Sequence, residues 1–397
     1  KDNSGQGYSK GKKDQQEWSL PDYKVLQATK FQRYGQIKED WFEQHPATVT
    51  RIRKEVLYKG NRLLIKHGIT QSDKIKGQII ARLESNDFCF TNSINCIKLI
   101  EPESWKYKVL LGILWSSLPR YYFFLTSSKW GMWHYGIHQD EYLDLPITFP
   151  ENEDIKDRIV SIVERLQNWE GVEYSLINPE GKEREEIQSE LRDIEVELDE
   201  AIFDLYMLRV SERDLIRDMC DVGIEFCYNH TKSVAIKPVI NHIFSFKHGL
   251  LETLLSSINI ESSSQLKDYL VIFLKAWNRE LYPQGEFSWR IIIPDEAETM
   301  LCVVFSTQEV GHIPQFLDND EDVWTAILNE LNDSLLVPYK SNRIYIDGIV
   351  RAVTDTDIII IKRNEKRLWT KSMAREDVEA TFLQAINLQD SKQGISV

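Results

Sequence analysis

The sequence predicts an α+β fold: a mixed-sheet domain, a helical pair, then a second α+β domain. Three observations predict it. Between Val49 and Ile100, short apolar segments alternate with basic residues, as in half-buried strands. Residues 151–208 carry two long runs of apolar residues at helical spacing. From Ser245 onward, helical and strand-like stretches follow one another and close on a helix. The chain has 397 residues, 42% of them hydrophobic, with 11 Trp, 16 Tyr and 16 Phe. That is material for two or three packed cores and excludes global disorder.

Residues 1–22, "KDNSGQGYSKGKKDQQ" onward, are polar and predict a tail or linker. Residues 23–150 make the first domain. Its strand candidates are "TVTRIRKEVLYKGNRLLIKHGI", "GQIIARL" and "DFCFTNSINCIKLI", with "ESND" as a turn. "ESWKYKVLLGILWSSLPRYYFFLTSS" then reads as a helix beginning near Glu103 or Ser104, with Val109, Gly112, Ile113 and Ser116 on one face. Residues 151–244 hold the helical pair and connecting helices. Ile155, Ile159, Ile162, Val163 and Leu166 mark one helix, and Ile187, Leu191, Ile194, Leu198, Ile202 and Leu205 the other, with "NPEG" between them. Ser211 is the expected cap of the next helix, with Asp214 completing it. Residues 245–390 form the second α+β domain: a helix at "SQLKDYLVIFLKAWNREL", strands at "EFSWRIIIP", "TMLCVVFS", "NRIYIDGIVRAVT", "DIIIIKRN" and "KRLWTKS", and a helix at "AREDVEATFLQAINL".

Charge divides the chain. The net charge is −14, but residues 1–150 hold 22 Lys and Arg against 16 Asp and Glu, so the remainder carries −20. The first part is expected to meet a polyanion and the rest is not. The basic residues concentrate at Arg51, Arg53, Lys54, Lys59, Arg62, Lys66, Lys74, Lys76 and Arg82, opposed in that window only by Glu55 and Asp73. Strands with a basic edge suit phosphate contact, and Arg also reads guanine bidentately.

Other chemistry is thinly represented. "GQGYSKGKK" has no preceding strand and is not a nucleotide loop. His134 and His138 are four apart in a glycine-containing loop, so no metal is expected. "PDEAE" (Pro294–Glu298) lacks the residues of a nuclease cluster and reads as a surface turn. The five cysteines, Cys89, Cys96, Cys220, Cys227 and Cys302, fit reduced core thiols of a cytoplasmic protein. Pro119 and Arg120 interrupt the longest apolar run, so no membrane helix is expected. The chain opens without Met or a signal peptide, so a fragment, a processed product or half of a split protein is expected.

The order "FTNSI", "LLGILWSSL", "FFLTSSKWG", "LPI" and "LDEAIFDLYML", within Val49–Asp218, resembles the TaqI-like specificity domain that follows the catalytic domain of many adenine-N6 DNA methyltransferases of restriction–modification and phage-defence systems. The resemblance implies a DNA target-recognition domain at 23–150. It also implies double-stranded DNA and a methyltransferase catalytic domain or subunit as partners, other defence-complex subunits as further ones, and a prokaryotic cytoplasm. No Asn-Pro-Pro-Tyr motif is present. No catalytic residue and no cofactor are therefore expected in this chain, and S-adenosylmethionine is expected on the catalytic partner or on a missing N-terminal domain.

In the loop Leu125–Ile147, Ser127, Ser128 and Lys129 can contact phosphate, and Trp133 or His134 can stack on bases or sugars. Trp130 has two readings, a plug in the core beneath the turn or a wedge against DNA. The rival function is a scaffold or protein-interaction subunit of a defence complex that keeps the fold without reading DNA.

Overall fold

The structure, a computed structural model, describes residues 4–11, 15–69, 77–101, 103–130, 136–169, 184–240, 248–256, 264–293, 299–307, 324–325, 327–328, 331 and 349–392. It is α+β and consists of two compact units, Lys1–Ile216 and Arg217–Val397. The division falls inside the segment 151–244 expected to be one helical region.

Among the described residues, the first unit contains three small sheets. One is four-stranded, built from β1 (Gly5–Gln6), β6 (Arg62–Lys66), β7 (Ala81–Glu84) and β9 (Ile94–Ile97) in the order β1-β9-β6-β7. Its strands are antiparallel, with Leu63 opposite Leu83 and Ile97, and Gln6 opposite Asn95. β3 (Val25–Leu26), β4 (Phe42–Glu43) and β8 (Cys89–Phe90) form a second sheet, and β2 (Gln16–Glu17) pairs with β5 (Thr48–Val49). Strand β6 is not half-buried with its basic side chains outward: Arg62, Leu63, Leu64 and Ile65 are all fully buried. The basic segment before it forms a 3-10 turn, Glu55–Tyr58.

Residues 4–11 are part of this core, which corrects the expectation of a tail. Gly7 N–H donates to the Ile94 carbonyl at 3.1 Å, and Asn92 N–H to the Tyr8 carbonyl at 2.8 Å. Tyr8 is fully buried and meets Trp18 edge to face. Gly7 is required because a Cβ there would lie 2.0 Å from the Phe90 carbonyl oxygen. The composition is polar because the backbone does the pairing and few side chains need to be apolar.

The long expected helix is two, α1 (Ser104–Trp115) and α2 (Ser117–Thr126), separated at Ser116, whose backbone is extended. Pro119 lies in the first turn of α2, where no backbone donor is needed. α1 lies against the sheet, with Trp115 Nε1 donating to the Ala81 carbonyl at 2.9 Å. Its other side meets α4 (Glu153–Gln167) and α5 (Arg184–Leu205) through Gly112, where a Cβ would fall 3.0–3.4 Å from Val163, Ile159 and Leu198. The pair is antiparallel as expected: Arg158 bonds Asp204 and Arg165 bonds Glu197. α6 (Val210–Asp218) is not capped by Ser211. The Glu212 carboxylate accepts from Arg209 N–H at 2.7 Å, and Asp214 is buried.

In the second unit, β10 (His248–Gly249), β11 (Ser288–Ile292), β12 (Met300–Ser306), β13 (Ile349–Val353) and β14 (Asp357–Arg363) form an antiparallel sheet ordered β10-β11-β12-β14-β13. Leu301, Val303, Phe305, Ile358 and Ile360 face a helical layer containing Ser264–Leu281, while Cys302, Ile359 and Ile361 pack on Ile327 and Leu331. Burial on both faces explains the continuous run "IIII". "KRLWTKS" is not a strand. Lys366–Leu368 is a 3-10 turn, Trp369 is buried, and Lys371 already begins the closing helix Lys371–Lys392. Among the described residues, no helix is long and apolar enough to cross a membrane.

The placement of Tyr8 yields a stability prediction. Tyr8→Ala is expected to cost about 3 kcal/mol in urea unfolding, the usual range for emptying an aromatic site. Tyr8→Phe is expected to cost little, because the buried hydroxyl has no hydrogen-bond partner. A tail would make both substitutions silent.

Candidate nucleic-acid interface

Among the described residues, many cations of the first unit already have a carboxylate partner. Lys10 pairs with Glu43 at 3.0 Å, Lys30 with Asp40 at 2.9 Å, Lys108 with Glu164 at 2.5 Å and Arg213 with Glu200 at 2.7 Å. Arg82 lies inside, bonded to Glu84 and to the carbonyls of Gln32, Tyr34 and Gly35.

Against that background the expected DNA-contact residues separate into groups. Two are already committed. Arg62 is fully buried, donates to the carbonyls of Gly60 and Asn86 at 2.9 and 2.7 Å, and lies 4.5 Å from the Phe88 ring centroid. It is a structural residue and is corrected as a DNA contact: an extended phosphate cannot reach a guanidinium enclosed by its own sheet. Lys59 bridges Glu55 at 2.5 Å, and that carboxylate also accepts from the Tyr23 hydroxyl.

Ser127 and Ser128 are likewise engaged. Both hydroxyls and the Ser128 N–H donate to the Glu141 carboxylate, at 3.0, 3.1 and 2.8 Å. Glu141 also accepts from His138 N–H at 2.8 Å, closing the capping box of the short helix α3 (Gln139–Leu143). Burial raises the Glu141 pKa, but these bonds to the charged form outweigh it and hold the carboxyl below its ordinary value. The two serines therefore hold the loop's shape. Trp130 is buried, edge-on to Phe124, and a Cβ on Gly77 (φ +78°) would meet its ring at 2.5 Å. Of its two readings, the structure has the core plug.

Arg51, Arg53, Lys54, Lys66 and Lys129 remain, and among the described residues none of their side chains has a carboxylate partner. Arg51 and Lys54 are exposed; Arg53, Lys66 and Lys129 are half-buried. Burial, and then the neighbouring Arg51, lowers the Arg53 pKa, and its Nε is buried without an acceptor. Burial alone lowers the Lys66 pKa. Lys74, Lys76, Trp133 and His134 lie outside the described residues, as do Asp295 and Glu298 of the "PDEAE" turn.

The strand segment 5–9 links the uncompensated groups. Ser9 exchanges backbone bonds of 3.0 Å with Arg51 and Thr50. Gln6 lines a cavity of about 370 Å3 together with Lys66, His67, Gly68, Asn92 and Ser93. Gly68 bridges Gly136 antiparallel, and Ile137 N–H donates to the His67 carbonyl at 3.2 Å, which brings the end of the aromatic loop beside β6. Gln6, Asn92 and Ser93 were not among the expected site residues. The sequence signal was "GQG" in a segment read as a tail, since closely spaced glycines also mark close backbone approach. Glu141 was signalled by "HQDE", a capping-box spacing with His in place of Ser or Thr.

Among the described residues, no group of three or more His, Cys, Asp or Glu side chains is placed to hold a metal. Cys89, Cys96, Cys220 and Cys302 are buried free thiols and Cys227 is exposed. Burial pushes Cys89 up to about 12 and Cys96 to about 11, so neither is a thiolate nucleophile at neutral pH. No protein-family model matches the chain, and no curated protein matches it.

The committed and uncommitted cations should respond oppositely to removal. Arg62→Gln removes two hydrogen bonds to backbone carbonyls and a fully buried side chain's packing, and is expected to cost about 2 kcal/mol. Lys66 has a folded pKa below its unfolded one, so its charge weakens folding at neutral pH, and the penalty fades as pH rises through the folded value. Lys66→Gln should therefore leave stability equal or slightly higher at pH 7. Denaturant melts of both variants check this, and a large loss for Lys66→Gln would show it to be structural.

Proposed function

We propose that the chain is the DNA sequence-recognition portion of an adenine-N6 DNA methyltransferase of a restriction–modification or anti-phage system. In this reading residues 23–150 form the target-recognition domain and residues 4–11 complete its sheet. Methyl transfer, with S-adenosylmethionine, belongs to a catalytic partner or to another part of the polypeptide, since the chain has no Asn-Pro-Pro-Tyr motif. The observation that carries the reading is the set Arg51, Arg53, Lys54, Lys66 and Lys129, left without a carboxylate partner among the described residues of a unit in which most other described cations have one. Arg53 and Lys66, half-buried with no carboxylate partner among the described residues, weaken the fold unless an external anion approaches them, and duplex DNA supplies phosphates at close spacing. The ordered resemblance of Val49–Asp218 to TaqI-like specificity domains supports the class of partner.

A second reading, a protein-interaction subunit, is favoured by a different region. Val196, Met207, Val210 and Leu215 are exposed apolar residues near the acidic helical pair. The two readings part at the basic surface. In fluorescence anisotropy with duplex DNA, Arg51→Glu/Arg53→Glu/Lys54→Glu is expected to weaken binding at least tenfold. Unchanged affinity would remove the recognition reading and leave the interaction subunit.

A further inference from the structure

The cavity at the end of β6 has a lining that selects for one kind of ligand. Three separate chain segments meet there: Gln6 from β1, Lys66–Gly68 from the end of β6, and Asn92–Ser93 from the turn before β9. They are fixed to one another by backbone pairing, with His67 N–H donating to the Ser93 carbonyl at 2.8 Å, Gly7 N–H donating to the Ile94 carbonyl at 3.1 Å, and Lys66 opposite Ile94. The described residues that line it are a lysine, a glutamine, an asparagine, a serine, a histidine and a glycine, and none of them is acidic or large and apolar. Asn92 and Ser93 are exposed, so the cavity opens to solvent. Its volume of about 370 Å3 holds a tetrahedral oxyanion with room for its substituents.

We propose that this cavity is a phosphate-binding pocket in which Lys66 is the charged anchor and Gln6, Asn92 and Ser93 supply neutral hydrogen bonds. Lys66 lies at the cavity wall without a carboxylate among the described residues, and an ammonium partly removed from water gains most from an anion placed against it. Rigid donors from three segments lower the ordering cost of binding. The pocket deepens the DNA-recognition reading and rests on it for the phosphate's source, the diester of a polynucleotide backbone. The same chemistry would accept free phosphate. Ser9, three residues beyond Gln6, is paired with Arg51, so the pocket and the Arg51–Lys54 cluster are joined by one extended segment of about 10 Å. That span suits successive contacts along one strand of DNA.

The full chain, wild type and Lys66→Gln and Lys66→Arg variants, would be titrated with inorganic phosphate by calorimetry at constant ionic strength, and separately with duplex DNA by anisotropy. Thermal melts would establish that all three are folded. The pocket predicts that Lys66→Gln weakens phosphate or duplex binding at least fivefold and that Lys66→Arg restores most of it. Lys66-dependent phosphate binding by a chain that ignores duplex DNA would keep the pocket and remove the recognition reading. Duplex binding that is lost on reversal of Arg51, Arg53 and Lys54, with both phosphate and duplex binding indifferent to Lys66→Gln, would overturn the pocket and keep the reading. Binding of neither probe by the wild type overturns both.

Discussion

Strand β6 is the constraint on which the first unit depends. It is the inner strand that pairs with both β7 and β9, and through β9 it holds β1. Its five residues run from a fully buried arginine through three buried aliphatics to a half-buried lysine. Arg62 ties one end to the Gly60 and Asn86 carbonyls, while Lys66 reaches a cavity wall at the other. A one-residue slip would exchange the faces of every side chain on the strand. The same register therefore determines which cation is internal and which is presented.

Charge disposition follows from that geometry. A cation among carboxylates or carbonyls is already satisfied, and an incoming phosphate must compete with those partners. A cation with no partner keeps its full attraction for an external anion. Lys59 and Arg62 belong to the first kind, and Arg51, Arg53, Lys54, Lys66 and Lys129 to the second. The aromatic loop contributes scaffolding here. Glu141 gathers Ser127, Ser128 and His138 around one carboxylate, and Trp130 fills the space over Gly77.

Legibility from sequence tracked how local the determining interaction was. Both members of the helical pair and the strands "SWRIIIP", "TMLCVVFS" and "DIIIIKRN" were readable because their periodicity or apolar run lies within a few residues. Residues 4–11 were not. Two-residue strands carry no period, and their partners Ile94, Phe90 and Arg51 are far along the chain. "LLGILWSSLPRYYFF" was readable as helical, but its break at Ser116 was not. "KRLWTKS" looked like a strand because it contains Leu, Trp and Thr, yet Trp369 is spent filling a core beside Tyr269. Within the candidate site, the sequence grouped nine basic residues that composition cannot tell apart. Only tertiary partners separate Arg62 from Lys66.

The central claim is that uncompensated cations, not basic residues in general, form the surface that meets DNA. The most direct measurement is residue-resolved chemical modification of lysines and arginines in the full chain, followed by mass spectrometry with and without duplex DNA. The account predicts that Arg51, Arg53, Lys54 and Lys66 are protected by DNA while Lys10, Lys30 and Lys108 react as before. Protection spread evenly over paired and unpaired cations, or absent from the Arg51–Lys66 group, would contradict it.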